Sequence, residues 1–117
     1  MADNRYMYEV TYIVNAVLND DQLRGVAQRI RKTIEENGGE VIDVDEWGNR
    51  RLAYPIKKKR NGYYVNLYMT APGSIIPRLE RMLEIDEDVL RYITLRMDTK
   101  MIKHYEQSKQ TGAPQPA

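Results

Sequence analysis

Residues 6–14 alternate, with Tyr8, Val10, Tyr12 and Val14 on one side and Glu9, Thr11 and Ile13 on the other, the period-two pattern of a half-buried strand. After a turn at 15–19 the period changes. Leu23, Val26, Ala27, Ile30 and Ile34 recur at helical spacing; Asn19 or Asp20 can cap that helix, and Asp20 and Asp21 suit its positive end. Gly38 and Gly39 stop it, the first being free to take a left-handed conformation. Residues 40–56 read as extended, yet Val41, Val44 and Trp47 lie three apart and cannot share one face of a regular strand, so a bulge is expected at Gly48. Residues 57–62 form a polar connection ending in Asn61-Gly62, a pair that tolerates positive φ, and 63–71 form a third strand, giving a long hairpin over 40–71 with a basic tip. Ser74 is placed to cap a second helix, with Pro77 in its first turn and Ile75, Ile76, Leu79, Met82 and Leu83 as its buried stripe. An acidic turn at 84–88 leads into a last strand over 89–97.

The order strand, helix, strand, strand, helix, strand predicts an α+β ferredoxin-like sandwich, a four-stranded antiparallel sheet with both helices on one face. The other face is left open. Tyr63, Val65, Leu67 and Met69 then face the helices, and Tyr64, Asn66, Tyr68 and Thr70 face outward, joined by Tyr92, Thr94 and Arg96 of the last strand. Aromatic side chains on an uncovered face invite a partner, and Tyr64, Tyr68 and Tyr92, with Met101, Ile102 and Tyr105 beyond the sheet, are the candidate partner-binding residues. Residues 100–105 can be one helical turn or a docking segment. Residues 107–117 lack any large apolar side chain to offset ordering entropy, so residues 1–98 are expected to form a single ferredoxin-like domain and 99–117 a flexible C-terminal tail.

Charge changes the picture more than composition does. The formal net charge is +1, from 18 Lys and Arg against 17 Asp and Glu, and this sum conceals segregation. Residues 33–49 hold six acids and no base, whereas residues 50–60 hold Arg50, Arg51, Lys57, Lys58, Lys59 and Arg60 and no acid. With no cysteine, a disulfide scaffold, a thiolate zinc site and a cysteine nucleophile are excluded, in keeping with a cytoplasmic setting. No apolar run approaches the roughly 20 residues that cross a bilayer, so no membrane association is expected.

Catalytic chemistry is poorly supplied. The one histidine, His104, has no nucleophile and carboxylate patterned beside it. The acids at 43–46 and 86–88 lack the glycine and distal glutamate of a calcium loop and read as solvated faces. Acylphosphatases share this fold but need an arginine in the loop after the first strand, and residues 15–19 contain no base. No enzyme, cofactor, metal ion or small-molecule substrate is expected.

The hairpin is more informative. Arginine forks pair with phosphate oxygens and tyrosine stacks on bases, which makes Arg50, Arg51 and Tyr54 candidates for RNA contact; the run Lys57, Lys58, Lys59, Arg60 joins them on charge, although lysines also keep exposed edges soluble. A second signal, Gly62-Tyr63-Tyr64-Val65-Asn66-Leu67-Tyr68, sits where RNA-recognition-motif domains carry stacking aromatics. It misses that pattern: Asn61 replaces the base, Tyr64 fills the small position, and alternation turns Tyr63 inward. A free-standing domain binding single-stranded RNA on its sheet is the alternative reading.

Tyr8-Glu9-Val10, Gly38-Gly39, the stretch Trp47-Gly48-Asn49-Arg50-Arg51-Leu52-Ala53-Tyr54-Pro55-Ile56, Gly62-Tyr63-Tyr64 and Val89-Leu90-Arg91-Tyr92 occur in order. Together they resemble the family of bacterial small-subunit ribosomal protein six. The resemblance implies a ferredoxin-like fold, no enzymatic activity, and a place on the central domain of small-subunit ribosomal RNA beside the eighteenth small-subunit ribosomal protein as a heterodimer. By position it assigns RNA contact to Arg50, Arg51, Tyr54 and Arg91. Tyr6 and Met7 stand where some relatives have bases, and Arg5 is the candidate to replace them.

Overall fold

The computed structural model describes residues 5–111, with side chains through residue 108. The elements run β1 (Arg5–Asn15), α1 (Asp20–Glu36), β2 (Glu40–Ile56), β3 (Lys59–Pro72), α2 (Ile75–Ile85), β4 (Val89–Arg96) and α3 (Thr99–Thr111). One antiparallel sheet has the strand order β2-β3-β1-β4, and two crossover helices cover the same face, the ferredoxin-like arrangement. Alternation along β1 and β3 fixes which side chains meet those helices: Tyr8, Val10, Tyr12 and Val14 of β1 and Val65, Leu67, Met69 and Ala71 of β3 are buried against Val26, Ile30 and Ile34 of α1 and Ile75, Leu79 and Leu83 of α2. Each buried aliphatic side chain contributes about 1.5–3 kcal/mol, so this fifteen-residue cluster carries most of the stability.

Local signals set the ends of α1. Asn19 accepts from the Gln22 amide at 2.9 Å while the Gln22 side chain accepts from the Asn19 amide at 2.9 Å, a capping box. At the other end Gly38 has φ +83°, and the amides of Gly38 and Gly39 close onto the carbonyls of Glu35 and Ile34 at 3.2 and 2.8 Å. Arg5 seals this corner by donating to the Gly38 carbonyl at 2.7 Å and the Thr70 carbonyl at 3.1 Å. Its guanidinium thus holds backbone at this corner. Ser74 precedes α2 without making a side-chain capping bond.

The sheet shifts phase in three places, the first of which includes the bulge expected at Gly48. In β2 the register shifts between Val41 and Asp43 and again between Glu46 and Gly48, where Gly48 has φ +86°; these bulges put Val41 and Val44 on the helix side and Asp43, Asp45 and Gly48 on the open side. In β4 it shifts opposite Ile13 and Val14, so that Val89 and Leu90 are both buried, toward opposite faces of the sheet. This shift turns Tyr92 and Thr94 toward α2, where they donate to Glu84 and Glu80. It leaves Arg91, Ile93 and Leu95 on the open face, the reverse of the expected phase. The third departure is the hairpin turn. Lys57 and Lys58 occupy it, with φ 50° and 66°, while Asn61 and Gly62 lie within β3 opposite Arg51 and Arg50.

The C-terminal segment differs most from expectation. Residues 99–111 form a helix, with Asp98 accepting from the Met101 amide at 2.8 Å at its start, so the first 13 residues of the tail expected to be flexible are helical; residues 112–117 lie outside the described residues. Tyr105 is 8% exposed and closes over Tyr68, their ring centroids 4.3 Å apart, and its hydroxyl donates to Asp43 Oδ2 at 3.1 Å. With Met97 these two tyrosines form a separate buried patch on the open face, flanked by Met7, Met101 and Ile102.

Candidate nucleic-acid interface

The basic residues lie on an arm built from the distal halves of β2 and β3. Beyond the pair Arg51 and Asn61 the next pair is Ile56 and Lys59, so the four residues 52–55 of β2 stand against Arg60 alone and arch out of the ladder. Pro55 has no amide hydrogen to contribute there. Leu52 pins the arch by burying itself against Ile13 and Leu90, with Ile56 and Tyr64 at the margin. Gly62 makes this approach possible, because a Cβ at that position would fall on Cγ2 of Ile13.

Folding the arch inward brings distant residues together. Tyr54 is 61% exposed, and its hydroxyl accepts a hydrogen bond from Nη1 of Arg91 at 3.0 Å, although the two are 37 positions apart and Arg91 lies on the far edge strand. Lys57 at the tip shares a cleft of about 460 Å³ with Arg91 and Glu84. Arg50, Arg51, Lys58, Lys59 and Arg60 are exposed on the same arm. An exposed aromatic ring held by a guanidinium and surrounded by cations can stack on a base and pair with phosphates, the two contacts that RNA recognition combines.

The candidate partner-binding residues are dispersed. Tyr68 is 3% exposed beneath Tyr105, and Tyr92 points to Glu84. Tyr64 is half-buried, stacked on Trp47 with centroids 6.2 Å apart and planes 15° from parallel, while Trp47 donates to Asp45 Oδ2 at 3.0 Å. Met101 and Ile102 lie half-buried on α3. Between Tyr64 and Tyr68, Asn66 is 2% exposed; it accepts from the Thr11 hydroxyl at 3.0 Å and donates to the Tyr68 hydroxyl at 3.1 Å and to Glu9 at 3.4 Å. Burial, with Glu9 nearby, raises the Tyr68 phenol well above its ordinary value, and burial with the Asp43 hydrogen bond pushes Tyr105 up to about 12. Both hydroxyls therefore stay protonated, that of Tyr105 donating to Asp43 and that of Tyr68 accepting from Asn66.

What remains open is a surface that sequence reading missed. Ile93 and Leu95 are 54% and 43% exposed, and Ile93 lines a cavity of about 230 Å³ together with Thr11, Ile13, Tyr64, Arg91 and Tyr92. The adjacent apolar pair Val89-Leu90 was the available sign that the phase of β4 would shift.

The sequence pattern of Ribosomal protein S6 matches residues 7–96. The chain belongs to the ribosomal protein S6 family. Small ribosomal subunit protein bS6 of Caldanaerobacter subterraneus subsp. tengcongensis is 42% identical over 91 residues, covering 78% of this chain and 96% of the relative. The bS6 protein of Carboxydothermus hydrogenoformans is 43% identical over 91 residues, covering 78% and 95%. The crystal structure of 30S ribosomal protein S6 from Thermotoga maritima matches with a TM-score of 0.79 at 26% identity, over 92% of this chain and 99% of that one. As an S6 family member the chain is a protein of the small ribosomal subunit, located in the ribosome in the cytoplasm, and S6 is a family of ribosomal structural proteins, not of enzymes.

Proposed function

We propose that this protein binds the central domain of small-subunit ribosomal RNA during assembly, as a heterodimer with the eighteenth small-subunit ribosomal protein, and serves there as a structural, non-catalytic component that needs no cofactor. The observation that carries the RNA reading is the Tyr54–Arg91 hydrogen bond, which joins the basic arm to β4 and makes one surface of residues that are scattered in sequence. Arg50, Arg51, Lys57, Lys58, Lys59, Arg60 and Arg91 supply phosphate contacts and hence salt-dependent affinity; the shape of a folded RNA junction supplies selectivity. Ile93, Leu95 and the adjoining cavity offer the protein partner an apolar seat, with Met101 and Ile102 of α3 at the far end of the same face.

The alternative, single-stranded RNA stacked on the sheet, is disfavoured by the position of the aromatics. Tyr68 lies under Tyr105 and Tyr64 under Trp47, so the face offers no row of free rings among the described residues.

The test is binding of the Arg50→Ala, Arg51→Ala double variant to a central-domain transcript in the presence of the partner protein. Losing two phosphate contacts reduces the slope of log K against log salt by about 2. An unchanged slope in a folded variant refutes the assignment.

A further inference from the structure

The cleft between the hairpin tip and β4 has features that phosphate contact alone does not require. We infer that it receives a single unpaired nucleotide of the bound RNA, one whose base carries an exocyclic amino group. This deepens the RNA reading above and rests on it.

Three elements wall the cleft, whose volume of about 460 Å³ accommodates one nucleotide: Lys57 from the tip, Glu84 from α2, and Leu90 and Arg91 from β4. Two cations and one carboxylate converge there. Lys57 and Arg91 match a phosphate, and Arg91 is already oriented by Tyr54. Glu84 adds an acceptor to the same cleft. Its Oε2 accepts from the Tyr92 hydroxyl at 3.3 Å, which fixes the carboxylate at the cleft and leaves it acceptor capacity for an amino group of cytosine, adenine or guanine; uracil presents none.

The conformation of the tip is an independent observation. A two-residue turn with both φ angles positive favours Asn-Gly, and this chain contains that pair at Asn61-Gly62. The turn forms instead at Lys57-Lys58, because Gly62 is required against Ile13. Two lysines are thereby held in a left-handed conformation that ordinary side chains avoid, and one of them reaches the cleft. Strain retained at a charged position beside a cavity points from geometry to binding.

The experiment titrates the full-length protein with 5′-CMP, 5′-UMP and inorganic phosphate while following the methyl resonances of Leu83, Val89 and Leu90. CMP is expected to shift them and to bind about tenfold more tightly than UMP, the worth of one charge-assisted hydrogen bond, and Glu84→Ala is expected to abolish the preference. In the complex with the central-domain transcript, one amino-bearing base becomes protected from chemical modification and regains reactivity with Glu84→Ala. Equal responses to CMP, UMP and phosphate, or no response, overturn the inference. It is also overturned if Glu84→Ala leaves every base protection in place. If Arg50→Ala, Arg51→Ala weakens RNA binding while these results hold, the cleft alone is refuted and the broader RNA reading stands.

Discussion

Replacing Tyr105 separates the docking of α3 from the stability of the sandwich beneath it. Tyr105→Phe removes only the hydroxyl that donates to Asp43 and costs about 1.5–3 kcal/mol, the net worth of a hydrogen bond to a charged group. Tyr105→Ala also removes the ring that covers Tyr68. Truncating a buried aromatic in a core costs about 3–5 kcal/mol, but α3 is held by a three-residue patch whereas the main core has fifteen buried members. The loss is therefore capped at the free energy of docking α3: once the helix detaches, no further penalty accrues. Amide hydrogen exchange is the suitable assay, because local opening is read residue by residue. Tyr105→Ala is expected to accelerate exchange in α3 by two orders of magnitude or more, about 3 kcal/mol, while exchange at Ile30 and Leu67 changes much less. Uniform acceleration across α3 and the core would refute the separation, since it would make α3 part of one cooperative unit. Unchanged exchange in α3 would refute the role of Tyr105 itself.

Gly62→Ala is expected to destabilise the protein by about 1–3 kcal/mol, measured by urea denaturation, since the new methyl group must displace Ile13 or the arch over it. Asn66→Ala, which strands the Thr11 and Tyr68 hydroxyls inside the sheet face, is expected to cost about 1–3 kcal/mol by the same measurement, with a smaller loss in the Thr11→Ala background. Because the Tyr105 phenol is raised from 10.0 to about 12 in the folded state, its contribution is complete below pH 10 and is lost as pH rises from 10 toward 12. The tyrosinate absorbance that Tyr105→Phe removes should change in step with α3 exchange across that range, and Tyr105→Phe should weaken the pH dependence of α3 exchange.

Where the pattern was local, the chain could be read directly. The alternation of β1 and β3 named the helix-facing side chains, the spacing in α1 named Val26, Ile30 and Ile34, and the Asn19 and Gly38 ends of α1 follow from side-chain and backbone preferences a few residues wide. The basic arm, and the place of Arg50, Arg51 and Tyr54 on it, were legible for the same reason: charge and order are properties of the chain itself.

Tertiary structure decided the phase of β4, the position of the hairpin turn and the fate of α3. Asn61-Gly62 is the better turn by local preference, but Leu52 packing on Ile13 and Leu90 needs Gly62 in the strand, so nonlocal burial moved the turn to two lysines. The Val89-Leu90 pair is buried on two faces at once, which no single alternation describes, and the resulting bulge turned Tyr92 away from the open face and exposed Ile93 and Leu95. Residues 99–111 carry too little apolar area to order themselves alone; the Tyr68 ring and the Asp43 carboxylate, 37 and 62 positions upstream of Tyr105, supply what the segment lacks. Side-chain periodicity is written along the chain, but the partner that covers a face is chosen in three dimensions, and over the Tyr68 end of this sheet that partner was the chain's own last helix.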